Sequence, residues 1–238
     1  MKKIKFAFLF ICCSYMFGCS ESQKDVPVDG GDNGREEVRE DDNDNDDDDE
    51  LSGNDFNFLF IGNSLTYTND LPSLVKERAA LNDIEIGIKM IAFPNYAILD
   101  HWAEGMVQTE IESEKYDFVI IQQGPSSQEF GREVLIEYGE KYKELCDLHD
   151  AELCYYMVWP PLANYDRFDA VIQNHRDAAT MNDATLLRVG EVWKDHFDST
   201  GNFDYYGPDN FHPSLKGSQA AANVIVEALL LEKREPQN

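Results

Sequence analysis

Three side chains in this sequence have the types and spacing that acyl transfer would use: Ser64, Asp209 and His212. Ser64 stands in FLFIGNSLTYTND (58–70), two residues after an apolar run stops at Gly62. A nucleophilic serine needs a base within hydrogen-bond reach, a group that orients the base, and donors for a developing oxyanion. Ser, Asn and Thr are also the ordinary punctuation after a strand, so the segment alone leaves both readings open. His212 lies in YYGPDNFHPSLKG (205–217), a Gly/Pro-punctuated loop before the last helical stretch, with Asp209 three residues earlier. On a turn, a carboxylate at that spacing can fold back onto imidazole Nδ1, fixing the tautomer and leaving Nε2 for a hydroxyl. Pro213 stiffens the backbone there and Ser214 can cap the helix. An Asp that only caps the turn, with a His packed beside it, is the competing reading. The other histidines are His101, His149, His175 and His196. His149 and His175 are expected on solvated helix faces and His196 at the end of a polar stretch. His101, in LDHWAEG, begins a helix; it either lines a pocket or bonds to a neighbour.

These residues must be positioned by the elements between them. Strands are expected at 56–62, 84–93, 117–123, 152–159 and 185–190; the first, third and fourth are nearly continuous apolar runs, as in strands covered on both faces. Helices are expected at 71–82, with Asp70 as N-cap and Pro72 in the first turn, and at 97–113, 133–150, 167–182 and 214–233. Alternating βα units predict an α/β fold with a mostly parallel sheet and helices on both faces. In open α/β sheets, sites gather outside the carboxyl ends of the strands. Ser64, Pro94-Asn95-Tyr96 and Gln122-Gln123-Gly124 all fall at such ends. There is no internal repeat and no GxxxxGK[ST] or GxGxxG motif.

The chain's first part reads differently. Lys2, Lys3 and Lys5 precede an apolar core from Phe6 to Phe17, too short for a bilayer, which needs about 20 apolar residues. Residues 1–18 are thus expected to be a lipoprotein-type signal peptide: Met16-Phe17-Gly18-Cys19 resembles a lipobox, with Met and Phe where Leu and a small residue are usual, and Cys19 is the expected lipidated residue, the alternative being a Cys that lies near an ordinary cleavage site. Residues 20–50 carry 15 Asp or Glu against three basic residues, so 19–53 is expected to be a disordered acidic tether. The run DDNDNDDDDE (41–50) is no EF-hand loop, because Asp47 replaces the required Gly when counting from Asp42. Of the formal charge of −26, the n-region contributes +3 and residues 20–50 −12, leaving −17 for residues 51–238. Such a surface argues against nucleic acid and anionic lipid as partners, so membrane contact is expected through the anchor alone. The remainder, 54–238, suits one domain. Cys146 and Cys154 can pair or stay as buried thiols, and no Cys/His cluster suggests a metal.

IGNSLT after the first strand and DNFHPSLKG before the last helix together resemble the GDSL/SGNH hydrolase superfamily. More narrowly, the chain is similar to a bacterial branch in which FIGNSLTYTNDLP is followed by YDFVIIQQGPSSQ. The resemblance spans roughly residues 56–232. It implies a flavodoxin-like three-layer α/β/α sandwich of about five strands and an ester hydrolase without a cofactor. Ser64 would be the nucleophile, His212 the general base and Asp209 its orienter. The superfamily takes oxyanion donors from the serine N–H, a glycine N–H after the second strand and an asparagine side chain after the third. This sequence departs at the last two: FPNYAILDHW lacks the glycine and QQGPSS lacks the asparagine. Asn95 is the substitute backbone candidate, since Asn tolerates unusual φ, and Gln123, or else Gln122, the amide candidate. His101, Tyr96 and Tyr67 are pocket candidates, and Tyr67, Tyr96, Trp102 and Trp159 can offer stacking surfaces if they are not core. The expected substrate is an acylated small molecule or glycan outside the cytoplasm. A lipase is disfavoured for want of an apolar lid segment, and a catalytically idle glycan-binding lipoprotein is the alternative.

Overall fold

The computed structural model describes residues 51–231. The proposed signal peptide, Cys19 and the tether up to residue 50 lie outside the described residues, as do the last two residues of the expected final helix. Five parallel strands form one sheet: β1 (Phe56–Gly62), β2 (Ile86–Ala92), β3 (Phe118–Ile121), β4 (Glu152–Tyr156) and β5 (Thr185–Leu187), in the order β2-β1-β3-β4-β5. Around it run α1 (Ser64–Tyr67), α2 (Leu71–Ala80), α3 (Ile98–Glu104), α4 (Met106–Ser113), α5 (Glu129–Leu148), α6 (Phe168–Met181), α7 (Val189–Thr200) and α8 (Leu215–Val226). This is the expected α/β architecture.

The central strand shows why both faces must be covered. Side chains alternate across a strand, so Phe58 and Phe60 enter one core and Leu59 and Ile61 the other, all four fully buried. The first core is closed by Val75 of α2, Trp193 and Phe197 of α7 and Ile225 of α8. The second is closed by Ile98 of α3, Val107 of α4 and Leu135 and Tyr142 of α5. From β1 the chain goes outward to β2, then crosses back to β3 on the other side. The connections leaving β1 and β3 therefore diverge, and a crevice opens where they part.

Several local expectations are corrected. The stretch 97–113 is two helices, because Gly105 takes φ 80, a left-handed conformation open to glycine, and breaks the ladder. The expected fifth strand ends at Leu187, and the chain turns into α7, which the sequence reading lacked. Asp70 does not cap α2: it sits at φ 52 with no side-chain capping bond, following Asn69 at φ 58. Cys146 and Cys154 are buried and not in a disulfide. Trp159 is fully buried and stacked on Trp193 at 3.4 Å, so it offers no surface to a ligand.

His175 is not on a solvated face either. It is buried in α6, with Nδ1–H donating to the Val171 carbonyl at 2.8 Å. Burial pushes its pKa from 6.5 down to about 4. The unfolded chain binds that proton more readily, so this contribution is whole above pH 6.5 and is lost as pH falls towards 4. The loss amounts to about 3 kcal/mol at most. Urea unfolding of the wild type should weaken over this interval more steeply than that of His175→Leu; equal slopes would show that the imidazole does not titrate with unfolding.

Candidate active site

Ser64 is placed by the abrupt end of β1. Asn63 caps α1, its side chain accepting from Leu65 N–H at 3.0 Å while Nδ2 donates to the Tyr96 carbonyl at 2.8 Å. One residue thus ties the serine turn to the loop after β2. From the other side, the side-chain oxygen Oε1 of Gln122, just past β3, accepts from both Asn63 N–H and Thr66 Oγ1–H, each at 2.9 Å. Gly62 leaves no room for a side chain here: a Cβ would lie 2.6 Å from Gln122 Oε1. Ser64 occupies the first helical position, where its N–H has no carbonyl to bond within α1.

The loop before α8 brings the other two residues. Asp209 folds back as its spacing suggested: Oδ1 accepts from Phe211 N–H at 3.0 Å and His212 N–H at 2.9 Å, and Oδ2 accepts from His212 Nδ1–H at 2.6 Å. The His212 hydrogen bond holds the Asp209 carboxyl below the usual carboxylate range, so it stays anionic. On the opposite edge of the ring, Nε2 lies 2.8 Å from Ser64 Oγ. The loop is braced at several points. Trp159 Nε1–H donates to the Phe211 carbonyl at 2.9 Å, Leu162 N–H to that of Asn210 at 2.9 Å, and Gly207 N–H to that of His212 at 2.7 Å. Asn69 joins the two halves, its Nδ2 donating to the Pro213 carbonyl and Ser218 Oγ, both at 3.0 Å. Ser214 caps α8 by accepting from Gly217 N–H at 3.1 Å.

A cavity of about 320 Å³ opens beside Ser64. Leu99, Val134 and the exposed Phe130 form apolar walls; Asn95, Tyr96 and Gly124 add backbone and polar groups. Asn95 has φ 64, the left-handed conformation for which it was chosen. The glutamines are corrected. The Gln122 carbonyl is turned to the serine turn, and Gln123 Nε2 donates to Ser126 Oγ at 2.8 Å and the Gly131 carbonyl at 3.2 Å. Gln123 Nε2 is thereby engaged, whereas Gln122 Nε2 is buried with no hydrogen-bond partner among the described residues, and Gln122 does not line the cavity. His101 is buried outside the cavity, its Nε2–H donating to the Gly62 carbonyl at 2.8 Å while the ring stacks on Phe93. Burial lowers its pKa, so it acts as a neutral brace for the end of β1. Tyr67 does not reach the cavity wall, and Trp102 packs edge-on against Tyr142. The sequence reading missed Asn63, whose position directly before a helical serine is an N-cap signal, and Phe130 and Phe211, which carry no local signal. Among the described residues, no cluster of three His, Cys, Asp or Glu could hold a metal ion.

No family model matches the chain, and no curated protein matches it in sequence. Solved structures do match. One, a protein from Slackia heliotrinireducens assigned as an SGNH hydrolase, is 23% identical, with TM-score 0.63 over 73% of this chain and 98% of that one. The lipase/acylhydrolase from Enterococcus faecalis is 14% identical, with TM-score 0.59 over 77% and 99%. A variant of an acetyl-xylooligosaccharide esterase from Geobacillus is 14% identical, with TM-score 0.56 over 79% and 100%. The chain has the fold of the SGNH/GDSL hydrolases.

Removing the Gln122 carbonyl would leave the buried Asn63 N–H without a partner, at a cost of about 1–3 kcal/mol. Gln122→Ala should lose that much in urea unfolding, whereas a change below about 0.5 kcal/mol would mean that water replaces the carbonyl.

Proposed function

We propose that this chain is a serine esterase that removes acetyl or other short acyl groups from a glycan outside the cytoplasm. The observation that carries the reading is the relay of Ser64 Oγ to His212 Nε2 at 2.8 Å and His212 Nδ1 to Asp209 Oδ2 at 2.6 Å. With Nδ1 protonated by its bond to an anionic Asp209, Nε2 is the acceptor. As Ser64 Oγ attacks the acyl carbonyl, its proton passes to Nε2. The tetrahedral oxyanion would meet the N–H groups of Ser64 and Asn95. Collapse then breaks the C–O bond to the alcohol, which leaves with the proton from Nε2. Water, deprotonated by the same nitrogen, attacks the acyl-Ser64 ester and releases the acid. Similarity in fold to hydrolases that include an acetyl-xylooligosaccharide esterase supports the ester chemistry. The signal-like N-terminus, Cys19 and the acidic tether motivate an exported, lipid-anchored setting.

One observation favours a second reading, a catalytically idle glycan-binding lipoprotein. The Gln123 NH₂ is committed to Ser126 Oγ and the Gly131 carbonyl, which takes away the favoured side-chain oxyanion donor, and one missing donor typically costs about 10²–10³ in kcat. The two readings separate on the full chain with p-nitrophenyl acetate, an acetylated oligosaccharide and a fluorophosphonate probe. Turnover and labelling at Ser64, with Ser64→Ala and His212→Ala each about 10³-fold or more slower, is expected. No turnover and no labelling of a folded chain would overturn the esterase and leave the binder.

A further inference from the structure

A second cleft, of about 390 Å³, lies on the other side of Phe211 from the Ser64 cavity, and Phe211 belongs to both walls. Its polar groups are the Ser127 hydroxyl, the Gln128 and Asn164 amides, and Arg167; prolines at 125, 160 and 161 supply apolar faces. Its wall is built on the segment that braces the His212 loop, since Leu162 N–H donates to the Asn210 carbonyl. The cleft is therefore fixed relative to the reacting serine.

Its charge is out of keeping with the chain. The sequence has 46 acidic residues against 20 Lys and Arg, yet among the described residues no carboxylate lines this cleft. Arg132, Arg176 and Arg188 are each closed on a carboxylate. Among the described residues the one carboxylate beside Arg167 is Asp166, 3.7 Å from its Nε, beyond hydrogen-bond length, with the Asp166 side chain 79% exposed. The guanidinium edge is left for an incoming group. Hydroxyls of a sugar suit the amides and Ser127, its apolar face suits Phe211 and the prolines, and a planar carboxylate suits one guanidinium. No lysine is present to balance a dianion. The overall negative charge of the chain does not forbid this, because screening over about 8 Å at physiological salt leaves the nearest groups in control.

We propose that this cleft receives the alcohol part of the substrate and that Arg167 selects a glycan bearing a carboxylate, a uronate-type sugar, beside the acylated position. This rests on the esterase reading given above.

The test uses the full chain and two acetylated oligosaccharides that differ in one group, a uronate carboxylate against its methyl ester. The wild type should favour the acid in kcat/KM by about tenfold or more, the worth of a charged hydrogen bond. R167Q should bring the ratio near one and R167K should keep part of it. No preference in the wild type, or a preference that survives R167Q, would overturn the proposal while leaving the esterase standing. A binding arm uses Ser64→Ala and the deacetylated pair in titration calorimetry. Tighter binding of the acid that vanishes when R167Q is added supports the cleft even if no ester turns over and Ser64 goes unlabelled, in which case only the esterase falls. Equal binding of the two sugars, without turnover, would overturn both.

Discussion

The site depends on one carbonyl oxygen. Gln122 Oε1, at the end of β3, receives the Asn63 N–H and the Thr66 hydroxyl, and so fixes the turn that presents Ser64 at the end of β1. The two strands are neighbours in the sheet, but their chains run apart beyond it, and the last backbone pairing, Phe93 N–H to the Gly62 carbonyl at 3.1 Å, stops short of the turn itself. A side chain from one strand end must therefore replace the missing ladder bond on the other. Asn63 and His101 do the same from the β2 side, through the Tyr96 and Gly62 carbonyls. Three buried polar side chains thus surround one serine, and each is directed at backbone. Buried groups of this kind persist where they are hydrogen-bonded, because leaving them unpaired costs more than their bonds return.

The other half of the site is held by local geometry. Asp209 accepts two backbone N–H groups as well as the imidazole, so the turn that carries His212 is organised by the residue that orients its ring. Such a turn can be rigid without burial, which is how an exposed Asp209 keeps a 2.6 Å contact. Asn69 then measures one half against the other across the Pro213 carbonyl and Ser218. Its left-handed φ of 58 is a local strain that Asn bears better than most residues.

What could be read from the sequence follows from the range over which each signal acts. The parallel sheet was legible because strands buried on both faces leave continuous apolar runs, and FLFIG and FVII are such runs. Asp209 and His212 were legible because their relation is three residues long. The amide placement was not. Whether a glutamine turns its carbonyl or its NH₂ inward depends on partners such as Asn63 and Gly131, which the sequence places 59 residues before Gln122 and eight after Gln123. α7 was legible in principle: Val189, Trp193 and Phe197 recur at four-residue spacing, but the short β5 run into Gly190 masked the change of period. His175 was misread because its polar type hid its position: it falls on the single apolar stripe of α6, with Phe168, Val171, Ala178 and Ala179 at helical spacing.

The two cavities flanking Phe211 show how a strongly acidic chain can still keep a neutral reaction site. Asp209, the carboxylate nearest the chemistry, is neutralised in effect by the proton on Nδ1 and by two backbone N–H groups. Neither cavity wall adds another carboxylate among the described residues. On the proposed esterase reading, an oxyanion at Ser64 would therefore not be opposed at short range, where an unscreened like charge about 4 Å away would cost about 4 kcal/mol at an intermediate dielectric. Among the described residues many carboxylates sit instead on helix surfaces, several tied to Lys or Arg as in Lys143–Asp147 and Lys194–Asp198. Charge is thus partitioned by distance: solvent and salt screen the surface, and groups within a few ångströms of Ser64 dominate the field there. By the same partition, the charges nearest the second cleft, Arg167 and the exposed Asp166 beside it, govern it more than the chain's total charge does.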